Sequence, residues 1–382
     1  MTAFVANAFK INYMLIGVPK ETYAGELRAV LIPNDVKRLK AIGCTIAIES
    51  GLGAGIRVPD AEYEQAGASV VSRAEAMQAD IVLRLRKPGD ADVAMLKAGA
   101  IHISYLDPFN EKELVQSLAK QGVTAISMEM IPRSTRAQKM DSLSSQASLA
   151  GYVAVLLAAE RTDRVFPMMT TPAGTINPSR VFIIGAGVAG LQAIATAKRL
   201  GARVDAFDTR PVVAEQVRSL GARFLEVDLG ETGQTEQGYA KALTEEQLQK
   251  QRDAMAKQCA LSDVVITTAQ VFGRKAPIII TKEMVAGMKP GSIVVDLAVE
   301  TGGNVEGSVM GEEVEVNGVR ILGLTNLPGR VAVHASQMYS ANLYNLVDEF
   351  WSKTENRFNL DLEDDILKSC VLTHGGKVVK EV

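Results

Sequence analysis

The stretch Val181–Leu200 reads VFIIGAGVAGLQAIATAKRL, and the next apolar run, Arg203 to Phe207, delivers Asp208. Val181 to Ile184 is continuously apolar, as expected of a strand buried on both faces of a parallel sheet. Gly185 permits a tight turn out of that strand. Gly187 has no Cβ, so a pyrophosphate can approach the backbone. Gly190 lets the following helix pack against the strand. The helix N-terminus offers N–H groups and a positive dipole end to phosphates. Leu191, Ile194, Ala195 and Leu200 fall at helical spacing, and Gly201 is placed as the stop. Asp208 lies 23 residues after Gly185, close to the spacing of about 20 for an acid on adenosine ribose hydroxyls. A carboxylate there repels a 2′-phosphate, which favours NAD(H) over NADP(H). Arg210, two residues on, tempers that preference. A lone GxGxxG is weak evidence, but strand, helix, stop, second strand and acid are all in place. The spacing predicts a dinucleotide-binding βαβ unit, with roughly 180 residues before it, enough for a separate domain.

Composition narrows the rest. A chain of 382 residues with 47% hydrophobic content is expected to form two α/β domains with real cores. A net charge of -3 and the lack of a basic run give no electrostatic case for nucleic acid. No apolar stretch is expected to reach the ~18 residues that span a bilayer; the longest candidate, Leu149 to Ala159, is too short and ends in charges. The first 12 residues carry one Lys and no long apolar core follows. They read as a leader or an upstream start, with Met14 opening the first strand. Cys44, Cys259 and Cys370 are widely spaced and odd in number, which argues against a disulfide framework or a zinc site and suits a reducing cytoplasm. No metal is expected. His102, His334 and His374 are the only histidines. Each reads as structural, which constrains the mechanism because His is the commonest proton-transfer residue.

Along the chain, strands are expected at Met14 to Val18, Thr45 to Glu49, Ile81 to Leu85, Ile101 to Leu106 and Val123 to Met128. Helices are expected at Asn34 to Ile42, near Asp92 to Lys97, and at Glu111 to Gln121. This alternation implies a parallel sheet covered by helices, with no GxGxxG of its own. Ala147 to Ala159 reads as a long apolar connector helix with Gly151 close-packed. Later strands are expected at Asp263 to Thr267, Ser292 to Leu297 and Val319 to Leu322. The helix Ser336 to Trp351 and the tail are expected to return to the first domain, which gives residues 14–145 plus 325–382 and residues 146–324. The acidic cluster Asp361 to Asp365 reads as a solvated face. Glu226 to Gln251 is longer than most connections in compact domains, so it is either a loose insertion or functional; Tyr239 sits in its middle.

A second informative segment is RSTRAQKMDSLSSQASLAGY, Arg133 to Tyr152. Arg133, Gln138, Asp141 and Ser144 cluster just before the apolar helix. Such density of polar groups beside apolar neighbours suggests a cleft lining, and a nicotinamide carboxamide needs the donors and acceptor that Arg, Gln, Asp and Ser supply. The alternative is a capped helix start, with Ser144 or Ser145 as N-cap and the rest solvated. The residues alone leave both open.

With these segments in hand, the chain resembles the NAD(H)-binding domain, or α1 subunit, of proton-translocating NAD(P) transhydrogenase. The shared features are IGVPKE at Ile16 to Glu21, PRSTRAQKMDSLSSQASLAGY, GAGVAGLQAIATAKRLGA and DTRP at Asp208 to Pro211. EQGYAK at Glu236 to Lys241, KAPIIITKEMVAGMKPGSIVVDLAVETGGN, and NLPGR at Asn326 to Arg330 complete the set. The resemblance covers nearly the whole chain from Met14. It implies two Rossmann-like doubly wound domains, the first completed by the C-terminal segment. It carries the family's nicotinamide loop onto Arg133, Gln138, Lys139, Met140 and Asp141, with Ser144 just beyond. Its other NAD contacts fall on Gly185, Gly187, Val188, Gly190, Asp208, Thr209, Arg210, Gly238 and Gln251, and its closing loop on the segment around Tyr239. Where the family reads ALIPGKPAP, this chain has Ala269 to Pro277 as AQVFGRKAP, so Gln270 replaces an apolar nucleotide contact. The resemblance further implies direct hydride transfer from NADH to NADP+, with NADP(H) held on a separate domain. A homodimer, a membrane-spanning partner subunit and a cytoplasmic position on the inner face of the membrane also follow from it. Gln138 would help hold the two rings together while Arg133 and Asp141 orient the carboxamide.

The nearest rival is an alanine-dehydrogenase-like enzyme, which shares the KAP…DLA…GG segment. Its expected Lys and His fall near Arg86 and Asp107 here, with Lys87 adjoining the first; its catalytic Asp falls at Glu300, and its substrate Arg at Arg28. The His is missing. A third reading is a non-catalytic NAD-binding sensor.

Overall fold

The computed structural model describes residues 14–230 and 244–381. The chain divides into two units, residues 14–143 with 332–381, and Ser144–Val331; the sequence pattern alone places the divisions at 145/146 and 324/325.

In the first unit, β1 (Leu15–Val18), β2 (Thr45–Glu49), β3 (Ser69–Val71), β4 (Ile81–Leu83), β5 (Ile101–Ser104) and β6 (Thr124–Ser127) run parallel. Their order is β3-β2-β1-β4-β5-β6. The tail completes the sheet: Val371–His374 pairs antiparallel with β6, and Lys377–Val378 with that strand. Alternation along each strand feeds two cores. Ile81, Leu83, Ile101 and Ile103 face the helix Ala332–Phe350 through Tyr339, Leu343, Leu346 and Val347. Val82 and Ala125 face Leu114, Val115 and Leu118 of Lys112–Lys120. Each such large side chain taken from water contributes about 1.5–3 kcal/mol.

The sequence pattern suggests no element between Glu49 and Ile81. The structure has the helices Asp60–Gln65 and Arg73–Met77 flanking β3 there. All three are short, and β3 lies at the sheet edge, so no periodicity is long enough to read. One local signal does exist. Ser72 and Glu75 form a reciprocal capping box at the start of Arg73–Met77, and S-x-x-E is its pattern.

In the second unit, β7 (Arg180–Ile184), β8 (Arg203–Phe207), β9 (Arg223–Phe224), β10 (Val264–Thr267), β11 (Ile293–Asp296), β12 (Glu313–Val316) and β13 (Val319–Leu322) are arranged β9-β8-β7-β10-β11-β13-β12. All pairs are parallel except β12 with β13. The order of the first five strands of the first sheet is repeated, and again both faces are covered. Val181 and Ile183 face Ala193, Ile194 and Ala197; Phe182 and Ile184 face Met255 and Cys259.

Three sequence-based expectations are corrected here. The polar stretch to Gln251 is not loop throughout: a helix runs Glu245–Leu261, opened by a Thr244–Gln247 capping box, and Gln251 stands on it, 8% exposed. The connector helix is Ser142–Arg161, so Ser144 and Ser145 lie inside its first turns and are not its N-cap. Its 20 residues, with a window of mean hydropathy 1.3, are long and apolar enough to cross a bilayer, which corrects the expectation that no stretch reaches that length: the helix extends past the Leu149 to Ala159 run at both ends. Its apolar content has another use. Val153, Ala154 and Leu157 belong to the core of the second unit, and a Cβ on Gly151 would stand 2.1 Å from the Ala189 carbonyl oxygen.

Candidate dinucleotide site

The glycine loop has the geometry its residues anticipate. β7 ends at Ile184, and Gly185 turns the chain at φ +94, a conformation that favours glycine. A Cβ on Gly190 would lie 1.8 Å from the Gly185 carbonyl oxygen, so helix and loop are in backbone contact there. A Cβ on Gly187 would meet nothing within 4 Å: this is the open side of the loop. Gly187 is also the N-cap of Val188–Arg199, with no capping side chain and no acid in the first turn. An uncapped first turn leaves its N–H groups and dipole available to an anion. Val188 is 40% exposed beside it. Room above Gly187 and an uncapped helix fit a dinucleotide pyrophosphate.

Asp208 follows β8. Its Oδ2 accepts from Ala186 N at 2.8 Å, which ties the acid to the glycine loop. Its Oδ1 accepts from Arg210 N and Nε, both at 2.9 Å, and Oδ2 from Arg210 Nη2 at 2.8 Å. Bonding to Asp208 holds the Arg210 guanidinium above its usual pKa.

Below the loop, residues that the sequence pattern does not single out fix its floor. Thr268 Oγ1 donates to the Gly185 carbonyl at 3.0 Å. Asn304 Nδ2 donates to the carbonyls of Ala269 and Pro277, at 2.9 and 2.8 Å, and Ala269 N donates back to Asn304 Oδ1. The backbone of Asn304 is held in turn by buried Asp296. Ala269 to Pro277 is thereby pinned at both ends, with Gln270 exposed between them. The signal for this is the GGN within DLAVETGGN, which in the sequence stands only as a family mark. Gly238 and Tyr239 lie outside the described residues.

In the first unit, the RAQKMD segment forms a 3-10 turn at Gln138–Met140. Its residues divide by role. Ala137 and Met140 are buried. The Lys139 carbonyl accepts from Asn342 and Asn345 at 3.0 Å each, and Lys139 Nζ pairs with Glu349 at 2.7 Å. Arg136 pairs with Asp364 at 2.5 Å. The turn is thus fastened to the helix Ala332–Phe350 and to the tail. Arg133 and Gln138 remain exposed, and Asp141 half-exposed. The acidic cluster is therefore not simply a solvated face: Asp364 holds the turn and also caps Asp365–Cys370.

Two of the histidines are occupied structurally. His102 is fully buried on β5; burial pushes its pKa down to about 3, so the ring is neutral near pH 7. Its Nε2 lies 3.1 Å from Ser104 Oγ. His374 Nδ1 lies 3.0 Å from Thr124 Oγ1. Positions that would serve an amino-acid dehydrogenase carry other duties. Arg28 and Arg86 both pair with buried Glu26, at 2.6 and 2.9 Å. Asp107 stands at φ +52, its amide donating to Glu129 at 2.6 Å.

Fold and loop together define an α/β protein of two doubly wound units, the second carrying a dinucleotide-binding glycine loop. Residues 17–150 match the family described as Alanine dehydrogenase/PNT, N-terminal domain. Residues 154–381 match Alanine dehydrogenase/PNT, C-terminal domain. The chain is 44% identical to a NAD(P) transhydrogenase subunit alpha chain of Rhodospirillum rubrum, over 96% of this chain and 98% of that one. A solved transhydrogenase structure from Sinorhizobium meliloti is 46% identical and superposes with TM-score 0.87, over 95% of this chain and 99% of that one. Alanine dehydrogenase of Halomonas elongata is more distant, 29% identical over 96% of this chain and 94% of its own. The chain belongs to the NAD(P) transhydrogenase alpha-subunit family.

Proposed function

We propose that this chain is the NAD(H)-binding subunit of a proton-translocating transhydrogenase, passing hydride to NADP+ held by a partner domain. In this reading the chain is a homodimer seated on a membrane-spanning subunit at the inner, cytoplasmic face. The observation that carries it is the RAQKMD turn. Buried Ala137 and Met140 and the ties of Arg136 and Lys139 to the tail and the helix Ala332–Phe350 hold it, while Arg133 and Gln138 remain exposed.

Bound NADH supplies the hydride, and the chain's own residues bind and orient. The first turn of Val188–Arg199 takes the pyrophosphate, with Val188 beside it. Asp208, Thr209 and Arg210 take the adenosine ribose. Arg133 and Asp141 orient the carboxamide, Ser144 supports them, and Gln138 positions the paired rings. Direct hydride transfer moves no proton at the reacting carbons, so the step calls for no proton-transfer histidine. Catalysis here is positioning, where a displacement of about 1 Å can cost a hundred-fold in rate.

The test mixes the chain with an NADP(H)-binding transhydrogenase domain and follows hydride exchange by absorbance. Exchange is expected to be rapid and to fall about a hundred-fold in Gln138→Asn, with NADH affinity changed little. No exchange overturns the reading. Robust alanine-dependent NAD reduction by the lone chain would replace it with the dehydrogenase.

A further inference from the structure

The acid assigned to the ribose hydroxyls is already saturated. A carboxylate has about four lone-pair sites, and Asp208 accepts four hydrogen bonds. Two come from backbone amides, Ala186 N and Arg210 N. The other two come from one side chain, Arg210, whose Nε and Nη2 straddle the two carboxylate oxygens at 2.9 and 2.8 Å. Neither side chain is left open: Asp208 is 6% and Arg210 13% exposed. The amide bonds set the position of the acid and hold it to the glycine loop. The guanidinium fork belongs to a long side chain that can rotate.

We propose that Arg210 is a displaceable latch on Asp208 and the residue that sets discrimination between NAD(H) and NADP(H) in this site. The inference rests on the dinucleotide reading of the loop. A ribose diol donates two hydrogen bonds to a carboxylate, and the two acceptor sites it needs are those the fork occupies. NADH therefore binds by exchanging guanidinium for diol. Once displaced, the guanidinium stands beside the adenosine ribose as an unneutralised cation. A 2′-phosphate cannot donate to Asp208 and is repelled by it, but it finds that cation within reach of the same ribose position. Discrimination is thus a competition in which Asp208 favours the diol and Arg210 the phosphate. The carboxylate alone would exclude NADP(H) more strictly than the pair does.

The experiment measures dissociation constants of NADH and NADPH for the full chain by nucleotide fluorescence. In Arg210→Met, which keeps the stem and removes fork and charge, the ratio of the NADPH to the NADH constant is expected to rise roughly ten-fold or more, the worth of one charge-assisted bond. Arg210→Lys keeps the cation without the fork and is expected to hold the ratio within about three-fold. An unchanged or lowered ratio in Arg210→Met overturns the latch. A second measurement needs no variant. The fragments 5′-AMP and 2′,5′-ADP compete with NADH on the unsubstituted chain, and they are expected to do so within about ten-fold of each other. Exclusion of 2′,5′-ADP by more than about a hundred-fold overturns the proposal. The outcomes separate cleanly. Failure of the chain to bind NADH at all strikes the dinucleotide assignment, whereas NADH binding with an unmoved ratio strikes only the latch.

Discussion

The two sheets share the order of their first five strands, and the loops leaving their first strands could hardly differ more. After β7 the chain reads GAGVAG, and after β1 it reads PKETYAGELR. In an open doubly wound sheet both loops stand at the switch point where ligands bind. In the second unit that place is built from backbone. A Cβ on Gly187 would meet nothing within 4 Å, and the adjoining helix carries no capping side chain. In the first unit it is filled by side chains. Glu21 accepts from Leu85 N at 2.7 Å, Arg86 N at 3.2 Å and Arg84 Nη2 at 2.8 Å. Arg84 pairs onward with Asp92, and Arg73 links Asp92 to Glu49 at 2.7 and 2.9 Å. One topology thus yields an open glycine loop in one unit and an ion-pair plug in the other. The difference teaches that the sheet offers a site and the loop residues decide whether it is kept.

The comparison can be broken most forcefully at Gly190. Gly190→Ala forces a Cβ against the Gly185 carbonyl, with no flexible atom to give way. It is expected to cost about 3 kcal/mol or more and to abolish NADH binding, read by denaturant midpoint and nucleotide fluorescence. NADH binding near the unsubstituted level would show that the close backbone contact is dispensable.

The plug is tested by Glu21→Gln. It leaves Arg84 buried with half its partners, at a cost of roughly 3 kcal/mol. The folded fraction is expected to bind NADH within about two-fold of the unsubstituted chain. A large affinity loss would mean that the first unit's switch point still serves the nucleotide.

The smallest effect is in pH. Burial raises the Glu26 pKa, but the Arg28 bond and the charges of Arg28 and Arg86 lower it further, below its ordinary 4.5. A carboxyl with a depressed folded pKa adds stability that is present above the unfolded value and lost as pH falls through the folded one. Tm should therefore decline below about pH 4.5, less steeply in Glu26→Gln. Identical pH profiles would mean that the Glu26 pairs with Arg28 and Arg86 add nothing to the stability of the first unit.

Much of this is legible locally. GAGVAG, its strand, the helix and Asp208 sit within 28 residues, Val181 to Asp208, and their requirements are steric rules of the backbone. Central strands such as β4, β7 and β11 are legible because burial on both faces makes them largely apolar. The edge elements β3, β9 and β12 escape a sequence reading because they are short and no residue in them is fully buried. At the candidate site, the sequence names Gln138 and Asp141 but not what steadies them. Arg136 and Asp364 are 228 residues apart, and no local pattern announces a partner at that distance.

The sequence by itself determined the class of the protein. Glycine spacing and apolar runs express constraints that act within a few residues, and the shared motifs extend that reading to the transhydrogenase family. Tertiary structure decided what those residues do to one another. It made Asp208 a saturated acceptor under Arg210, Asp364 a fastener where a solvated acid was expected, and the first unit's switch point a plug. Each depends on which groups share a small volume after folding, because hydrogen bonds and ion pairs act over a few ångströms of space, whatever the separation along the chain.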